Sequence, residues 1–351
     1  MSNFVSYGDI LGRHKLIELL PLNAPLSMII DPCNICNFKC IFCPTGHPEL
    51  IQKVDRQKGK MSFDLFQKII NDASLMLFSN NNKIKRLFLD KDGEPLMNEN
   101  LFDMVKYAKS KDIFLSIETA TNASLLDRNT IIKMVESGLD IVRVSIEHIS
   151  NDNYKRITGT RYTYDQIKKN VENLFNEKER RGVGLRVHVK SVGLENEEQK
   201  GIFINDFTDI SDTIHIETLV GWSHSDLADF TLGREITTGM DSKSELKYDR
   251  VICNLPFRTI SVNWNGKVSI CCVDWTWSTI IGDVSKENLC DVWNGRKMYN
   301  FRKMHVSGER NKNPACENCH YLYGLDELDE LDGHEKTLNK IYGFNLPLSS
   351  L

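Results

Sequence analysis

The sequence lacks the features of several protein classes. None of its apolar runs approaches the roughly 20 residues that a membrane helix needs, and the longest ones, such as 26–30, have the length of a strand. The first twelve residues do not join a basic region to an apolar one, so no secretory signal is expected. There is no internal repeat and no low-complexity tract. These absences predict a cytoplasmic protein with no membrane partner.

An excess of positive charge is also lacking. The 351 residues include 44 Lys and Arg against 48 Asp and Glu, which gives a formal net charge of −4. Proteins that bind nucleic acids or acidic membranes usually carry a basic surface, so no nucleic-acid partner is expected. The hydrophobic content of 41% is that of ordinary globular domains, and the length suggests about two of them.

Cysteine is absent from the long central stretch between Cys43 and Cys253, although the chain has ten cysteines in all. A secreted disulfide scaffold would be shorter and more evenly studded with cysteines. Clustered thiols in a reducing compartment more often bind metal or carry out redox chemistry. The two groups of cysteines are therefore where the function is to be sought.

Strand patterns alternate with helical patterns over the first two thirds of the chain. Alternating β and α elements predict a parallel sheet with right-handed crossovers, either open or curled into a barrel. The site is then expected at the carboxyl ends of the strands. Strands are predicted at residues 26–31, 84–89, 113–117, 141–146, 185–192 and 213–219.

The remainder of the chain has a different pattern. Residues 221–249 are polar and weakly periodic, which predicts a connector. An Asn265-Gly266 pair flanked by alternating residues predicts a β-hairpin. The acidic segment 325–332 is expected to be a solvated helix face or a frayed end.

The first group of cysteines has the spacing C-x3-C-x2-C, at Cys36, Cys40 and Cys43, directly after the first predicted strand. Three thiolates on a short loop can hold three irons of a [4Fe–4S] cluster and leave the fourth iron open to a substrate or cofactor. With Cys33 added, the same loop could instead close a four-thiolate zinc site. Buried inert thiols are a third interpretation.

The second group contains Cys253, Cys271 and a distant C-x2-C pair, Cys316 and Cys319. These four thiolates would make a closed metal site, which zinc fits as well as an iron–sulfur cluster does. Cys272 follows Cys271 on the predicted hairpin, so its side chain is expected to point the other way. Cys290 is expected to be a small core residue of a short helix.

The first motif resembles that of the radical S-adenosylmethionine (SAM) superfamily, which has an aromatic residue before the last cysteine. A second motif of that family, Gly93-Glu94-Pro95, follows the second predicted strand, with Asp92 where the family usually has glycine. Segments after the third and fourth strands and before the fifth helix also look similar to family segments. The resemblance implies that SAM is contacted by Phe42, Gly93, Glu94, Pro95, Asn122, Ser145 and Arg156.

The C-terminal cysteine segment resembles the SPASM/twitch extension of the same superfamily. The resemblance implies an α/β fold: a partial (β/α)6 barrel with a small C-terminal domain of a β-hairpin and helices. The implied division is an N-terminal extension at 1–25, the barrel at 26–230, a connector at 231–250, the auxiliary domain at 251–322 and an acidic tail at 323–351. The implied ligands are Cys36, Cys40 and Cys43 for the SAM-binding [4Fe–4S] cluster, and Cys253, Cys271, Cys316 and Cys319 for one auxiliary [4Fe–4S] cluster.

The resemblance also implies a reaction, in which the reduced cluster cleaves SAM to a 5′-deoxyadenosyl radical that removes hydrogen from a substrate. An electron donor such as flavodoxin or ferredoxin is then expected as a partner. Strand alternation places charged side chains inside the barrel. These form either an internal salt-bridge network or the site of a polar substrate. The candidates for catalysis are Glu147, His188, Lys190 and Glu217.

The favoured hypothesis is the two-electron oxidation of a sugar- or cyclitol-like small molecule. Its rival within the superfamily is the modification of a peptide or protein. The alternative from another class is a zinc- or iron–sulfur-binding protein without catalysis.

Overall fold

In the computed structural model, residues 14–77, 83–192, 194 and 196–346 are described, and nine strands in these residues form one sheet. The strands are β1 Ser27–Ile30, β2 Ile84–Phe88, β3 Phe114–Thr121, β4 Ile141–Ile146, β5 Arg186–Val192, β6 Thr213–Glu217, β7 Thr259–Val262, β8 Lys267–Ser269 and β9 Ile280–Asp283. Their order across the sheet is β6-β5-β4-β3-β2-β1-β7-β8-β9.

Helices follow the strands in the alternation that the sequence predicts. The helices are α1 Leu16–Leu19, α2 Pro48–Lys53, α3 Phe63–Met76, α4 Leu101–Ser110, α5 Arg128–Glu136, α6 Asn151–Thr158, α7 Tyr164–Arg181, α8 Glu197–Phe207, α9 Leu255–Arg258, α10 Leu289–Trp293, α11 Arg296–Val306, α12 Pro314–Glu317 and α13 Glu335–Tyr342.

The first six strands are parallel and the sheet they form is open, which confirms the predicted partial barrel. One face of β4 carries Val142, Val144 and Ile146, which are fully buried in the core shared with the helices. Local signals fix the helix ends: Ser62 accepts a hydrogen bond from the Leu65 amide at the start of α3. The carboxyl ends of the strands therefore meet at one edge.

The predicted hairpin extends the barrel sheet. Strand β7 pairs with β1 in parallel, with Ser27 opposite Thr259, and β8 and β9 continue the sheet in antiparallel fashion. The turn uses Gly266, whose φ of +87° is costly for other residues. This pairing places the second group of cysteines beside the strand that precedes the first group.

The expectation for the acidic segment 325–332 is wrong. Leu325 and Leu331 are buried, and only residues 327–329 form a helical turn. The carboxylates find fixed partners: Asp329 pairs with Arg258 at 3.3 Å, and Asp332 accepts hydrogen bonds from the Val251 and Ile252 amides. The leucines at every third position pack into the interior and hold the segment there. The Arg258 guanidinium and the two backbone amides compensate the negative charge of the carboxylates.

Residues 1–13 of the predicted N-terminal extension and residues 347–351 of the predicted tail lie outside the described residues. No described helix combines the length and the apolar composition that crossing a bilayer requires.

Candidate functional site

The loop after β1 brings Cys36, Cys40 and Cys43 together. Its backbone is held to α6, because the Lys39 amide donates to the Thr158 carbonyl at 2.8 Å and the Ile41 amide to that of Ile157 at 3.0 Å. Burial, together with the neighbouring thiols and carboxylates, raises the pKa of all three cysteines, that of Cys36 to about 12. Thiolates in this loop therefore need a cationic partner such as iron.

The Gly93-Glu94-Pro95 segment packs directly on the cysteine loop. The Glu94 amide donates to the Ile35 carbonyl at 3.0 Å. A Cβ atom on Gly93 would lie 2.2 Å from the Cys33 carbonyl oxygen and 2.6 Å from that of Ile35. Only glycine fits at this position, so the second motif supports the loop that carries the first.

The Glu94 carboxylate is buried and anchors the turn after β3. It accepts hydrogen bonds from the Thr121 hydroxyl at 2.8 Å, the Asn122 amide at 2.8 Å and the Leu96 amide at 3.1 Å. Burial raises its pKa to about 7. Because a carboxylate has about four acceptor sites, these donors leave room for about one more, such as an ammonium group.

The other residues predicted to contact SAM lie near the cysteine loop or inside the barrel, except Arg156. Asn122 reaches the cysteine loop through Asn37, at 2.9 Å between Nδ2 and Oδ1. The Phe42 carbonyl accepts from the indole of Trp222 at 3.3 Å, and Pro95 is buried. Ser145 is half-buried at the end of β4, inside the barrel. Arg156 is not brought to the others: it is exposed on α6 and bonds Asn153.

We expect Glu94→Ala to weaken SAM binding roughly ten- to hundredfold, because a hydrogen bond to a charged group contributes about 1.5–3 kcal/mol. It should also lower the thermal stability, since two buried amides lose their acceptor. Equilibrium binding of SAM to the reconstituted protein and a melting curve measure the two effects.

The control for this variant is Thr121→Val, which removes one donor to the same carboxylate. Its stability should fall by about 1 kcal/mol while its affinity for SAM stays near that of the parent protein. An unchanged SAM affinity in Glu94→Ala would contradict the contact and leave Glu94 a purely structural role.

A buried ionic cluster that sequence reasoning missed joins the second motif to the hairpin. Lys91 Nζ lies 2.8 Å from the Asp92 carboxylate and 2.9 Å from Asn263 Oδ1 at the end of β7. Arg56 lies 3.4 Å from Asp92 and donates to the Trp275 carbonyl at 3.0 Å. Asp92, the departure from the family's glycine, therefore has a structural task in this chain. No local sequence pattern predicts these contacts, because several of them join residues far apart in the chain.

The four cysteines predicted as the second ligand set line one small cavity. Cys253 precedes α9, Cys271 follows β8, and Cys316 and Cys319 lie in and after α12. The rest of the lining is mainly apolar and includes Pro256, Phe301 and Leu322. Burial raises the pKa of Cys253 to about 12 and also raises that of Cys316 and Cys319.

Two residues beside this cavity were not predicted. His305 on α11 accepts a hydrogen bond from the Cys253 amide at 3.3 Å, and its Nε2 lies 3.9 Å from Cys316 Sγ. Arg310 donates to the Cys316 carbonyl. The sequence offers no signal for these contacts, because folding brings the residues to the cysteines.

The remaining cysteines lie outside both sets. Cys271 lines the cavity and Cys272 does not, so the expectation that their side chains point in different directions stays a prediction. The neighbouring Cys272 thiol and burial raise the pKa of Cys271. Strand alternation does not apply to them because β8 ends at Ser269. Cys33 is buried, and Cys290 packs against the core from α10, as predicted.

The described residues contain no group of three or more His, Cys, Asp or Glu side chains that could hold one metal ion. The predicted ligand sets have three thiols in the first and four in the second, which are the numbers that an open and a closed iron–sulfur cluster need. The assignment of these thiols as ligands stays a prediction.

The barrel interior is charged, and much of its charge is paired. Arg143 lies 2.6 Å from Asp90, and Lys190 lies 2.6 Å from Glu217. His188 Nδ1 lies 2.7 Å from the Thr213 hydroxyl. The salt-bridge interpretation of the interior is thus correct for these two pairs.

Glu147 differs from these paired residues. It is buried at the carboxyl end of β4, and among the described residues it has no hydrogen bond or ion pair. Burial raises its pKa to about 7, with Lys190 and Glu217 as the charged groups nearby. It also interacts electrostatically with Cys40. Glu147 is thus a buried carboxylate within electrostatic range of both the first cysteine loop and the Lys190–Glu217 pair.

Two family models match this chain. The model of the radical SAM superfamily matches residues 30–197, and the model of an iron–sulfur cluster-binding domain, SPASM, matches residues 253–320. The chain belongs to the radical SAM superfamily. The first match contains the C-x3-C-x2-C loop and Glu94, and the second contains all four cysteines of the second set. The cofactors are therefore SAM, a [4Fe–4S] cluster and auxiliary iron–sulfur clusters.

Two curated relatives are similar over part of their length. The chain is 29% identical over 163 residues to a tungsten-containing aldehyde ferredoxin oxidoreductase cofactor-modifying protein of Pyrococcus furiosus, covering 46% of this chain and 40% of that protein. It is 28% identical over 103 residues to an S-adenosyl-L-methionine-dependent 2-deoxy-scyllo-inosamine dehydrogenase of Niallia circulans, covering 29% and 40%. The chain thus spans about 40% of the length of the curated relatives it matches.

Two solved structures share the fold at low identity. BtrN in complex with AdoMet and 2-DOIA aligns with a TM-score of 0.51 at 17% identity, over 84% of this chain and 92% of that chain. Streptococcus suis SuiB bound to its precursor peptide SuiA aligns with a TM-score of 0.59 at 16% identity, over 88% and 73%. Both likenesses support the partial barrel with its open sheet.

Proposed function

We propose that this radical SAM enzyme dehydrogenates an alcohol of a polar, sugar- or cyclitol-like small molecule. The observation that carries the proposal is the polar barrel interior, where Glu147 is buried without a hydrogen bond or ion pair among the described residues and interacts electrostatically with Cys40, Lys190 and Glu217. A barrel interior without such a function is filled with branched apolar side chains. A buried, uncompensated carboxylate is costly, and a polar substrate would offset that cost.

When bound, SAM and the first cluster supply a radical that takes a hydrogen atom from carbon, and the auxiliary cluster supplies a place for the remaining electron. The chain itself has to hold the substrate and remove the hydroxyl proton. Of the four candidates, Lys190 is cationic and paired with Glu217, and His188 is bonded to Thr213. Among the described residues only Glu147 of the four has no hydrogen bond or ion pair, so we assign it as the proton acceptor. A pKa near 7 suits that task at neutral pH.

The comparisons support this proposal without deciding it. The Niallia circulans relative is a dehydrogenase of 2-deoxy-scyllo-inosamine by name, and the BtrN structure contains AdoMet and 2-DOIA. The second candidate is peptide modification, which the likeness to SuiB with its precursor peptide favours. The interior described here favours a small polar molecule through Glu147, which is buried and has no hydrogen bond or ion pair among the described residues. An electron donor such as flavodoxin or ferredoxin remains part of the proposal.

The test is turnover of a carbon-deuterated cyclitol, such as 2-deoxy-scyllo-inosamine, by the reconstituted enzyme. We expect deuterium in 5′-deoxyadenosine and one ketone per SAM cleaved. Product formation should rise as the pH rises through about 7 and then level off, because the acceptor must lose its proton. Glu147→Gln should lose about 100- to 10,000-fold in product formation and also lose this pH dependence.

The control is Asp152→Asn, the same change at an exposed carboxylate on α6, which should behave as the parent enzyme does. A Glu147→Gln enzyme with normal rate and pH profile would contradict the assignment of the acceptor. Deuterium transfer from a peptide, with none from any cyclitol or sugar, would overturn the proposed function.

A further inference from the structure

A cavity of about 570 Å³ lies at the open edge of the sheet, beside the edge strand β6. Its walls come from β6, from α8 and from the connector at residues 234–243. Small-molecule sites in proteins usually have about 300–1,000 Å³. The connector also pairs with the end of β6, since the Thr218 amide donates to the Met240 carbonyl at 3.3 Å.

The cavity meets the barrel interior at Glu217. Glu217 lines it and bonds Lys190 at 2.6 Å inside the barrel. Glu147, the proposed proton acceptor, does not line the cavity but lies within electrostatic range of both members of this pair. A molecule in the cavity would therefore contact Glu217, which joins the cavity to this interior.

One wall of the cavity carries a group of hydroxyls. Thr218 Oγ1 lies 2.7 Å from Thr238 Oγ1 and 2.9 Å from Ser242 Oγ, and Ser242 donates to the Ile216 carbonyl. Each hydroxyl can both donate and accept a hydrogen bond. Such a wall suits a ligand that itself presents several hydroxyls.

The charges of the cavity do not suit a phosphate group. The lining bases Lys200, Arg234 and Lys243 face a larger number of lining acids, and Lys200 is already bound to Glu197 at 2.6 Å. Two glutamates in the first turn of α8 counter the helix dipole that could attract an anion. Burial lowers the pKa of His215, so its ring is neutral. The lining acids are Glu197, Glu217, Glu235 and Asp241.

We propose that this cavity binds the substrate, and that the substrate is an uncharged or amine-bearing polyol and not a phosphorylated one. The inference rests on the proposed function, because it concerns the molecule that the enzyme would dehydrogenate. It adds the place of binding, the charge class of the substrate and the segment that sets specificity, namely the connector.

Binding can be measured by calorimetry on the cluster-loaded enzyme with SAM, which needs no turnover. The probes are scyllo-inositol, 2-deoxy-scyllo-inosamine and myo-inositol 1-phosphate. We expect the first two to bind and the phosphorylated probe to bind at least tenfold more weakly. Glu235→Lys should reverse the preference between the amine and the phosphate, because it changes the sign of one lining charge.

Thr238→Val removes a lining hydroxyl at almost constant volume and should weaken polyol binding about five- to tenfold. Thr337→Val, an exposed position on α13, is the matched control and should have no effect. Tighter binding of the phosphorylated probe, or no binding of either polyol, overturns the substrate class. Normal polyol binding in both Thr238→Val and Glu235→Lys overturns the site. The dehydrogenase proposal would fail separately, by the absence of deuterium transfer and ketone.

Discussion

Replacement of Cys36, Cys40 and Cys43 together by alanine is expected to abolish the reductive cleavage of SAM and to lower the iron content from about eight to about four atoms per chain. The loop after β1 carries these three thiols, and Cys36 and Cys40 each interact electrostatically with Cys43. Without them no iron can be presented to SAM. The measurements are iron and sulfide analysis after anaerobic reconstitution and the yield of 5′-deoxyadenosine.

Cys290→Ala is the matched control, because this thiol packs against the core and lies in neither set. It should keep about eight irons and normal SAM cleavage. An intact protein with about twelve irons would contradict a single auxiliary cluster, and one with none would contradict both assignments. Residual SAM cleavage in the triple variant would show that other ligands hold the first cluster.

The double variant Cys316→Ala/Cys319→Ala is expected to lose most of the oxidised product while it continues to cleave SAM. The four thiols of the second set leave no open iron, so direct ligation of substrate there is not expected. A closed cluster can still accept the electron that remains after removal of a hydrogen atom and a proton from an alcohol. Deuterium from the substrate should still reach 5′-deoxyadenosine in this variant.

The same two cysteines line the buried cavity together with Cys271, which follows β8 of the hairpin, so the experiment must separate redox from folding. The variant should retain a cooperative melting transition and about four irons, those of the first cluster. Cys290→Ala is again the control, since Cys290 packs against the core and lies in neither thiol set. A folded double variant that forms oxidised product at the parent rate would make the auxiliary cluster structural and remove the main support for dehydrogenation.

The sequence by itself predicted the parts of this protein that depend on short-range patterns. The alternation of apolar residues located all six parallel strands and one helix between each pair of them, but not the short helices α2 and α6. The longer elements were found because each buries one face with its own period. The spacing of Cys36, Cys40 and Cys43 on one loop, and the order of the four later cysteines, predicted the thiol sets that the fold brings together. Which of these residues act as ligands, and where the domains divide, remain predictions.

Only the tertiary structure decided the contacts between segments that are far apart in the chain. The parallel pairing of β7 with β1 joins strands separated by more than 200 residues, and no local pattern encodes that choice. The same holds for Lys91 with Asn263 and for Glu94 with Asn122. A charged residue inside the barrel needs a partner of opposite charge or a hydrogen bond. The sequence does not identify that partner, because pairing depends on distances in the folded chain. For this reason the sequence placed Glu147 and Lys190 inside the barrel alike, and only the structure shows Lys190 paired and Glu147 free among the described residues.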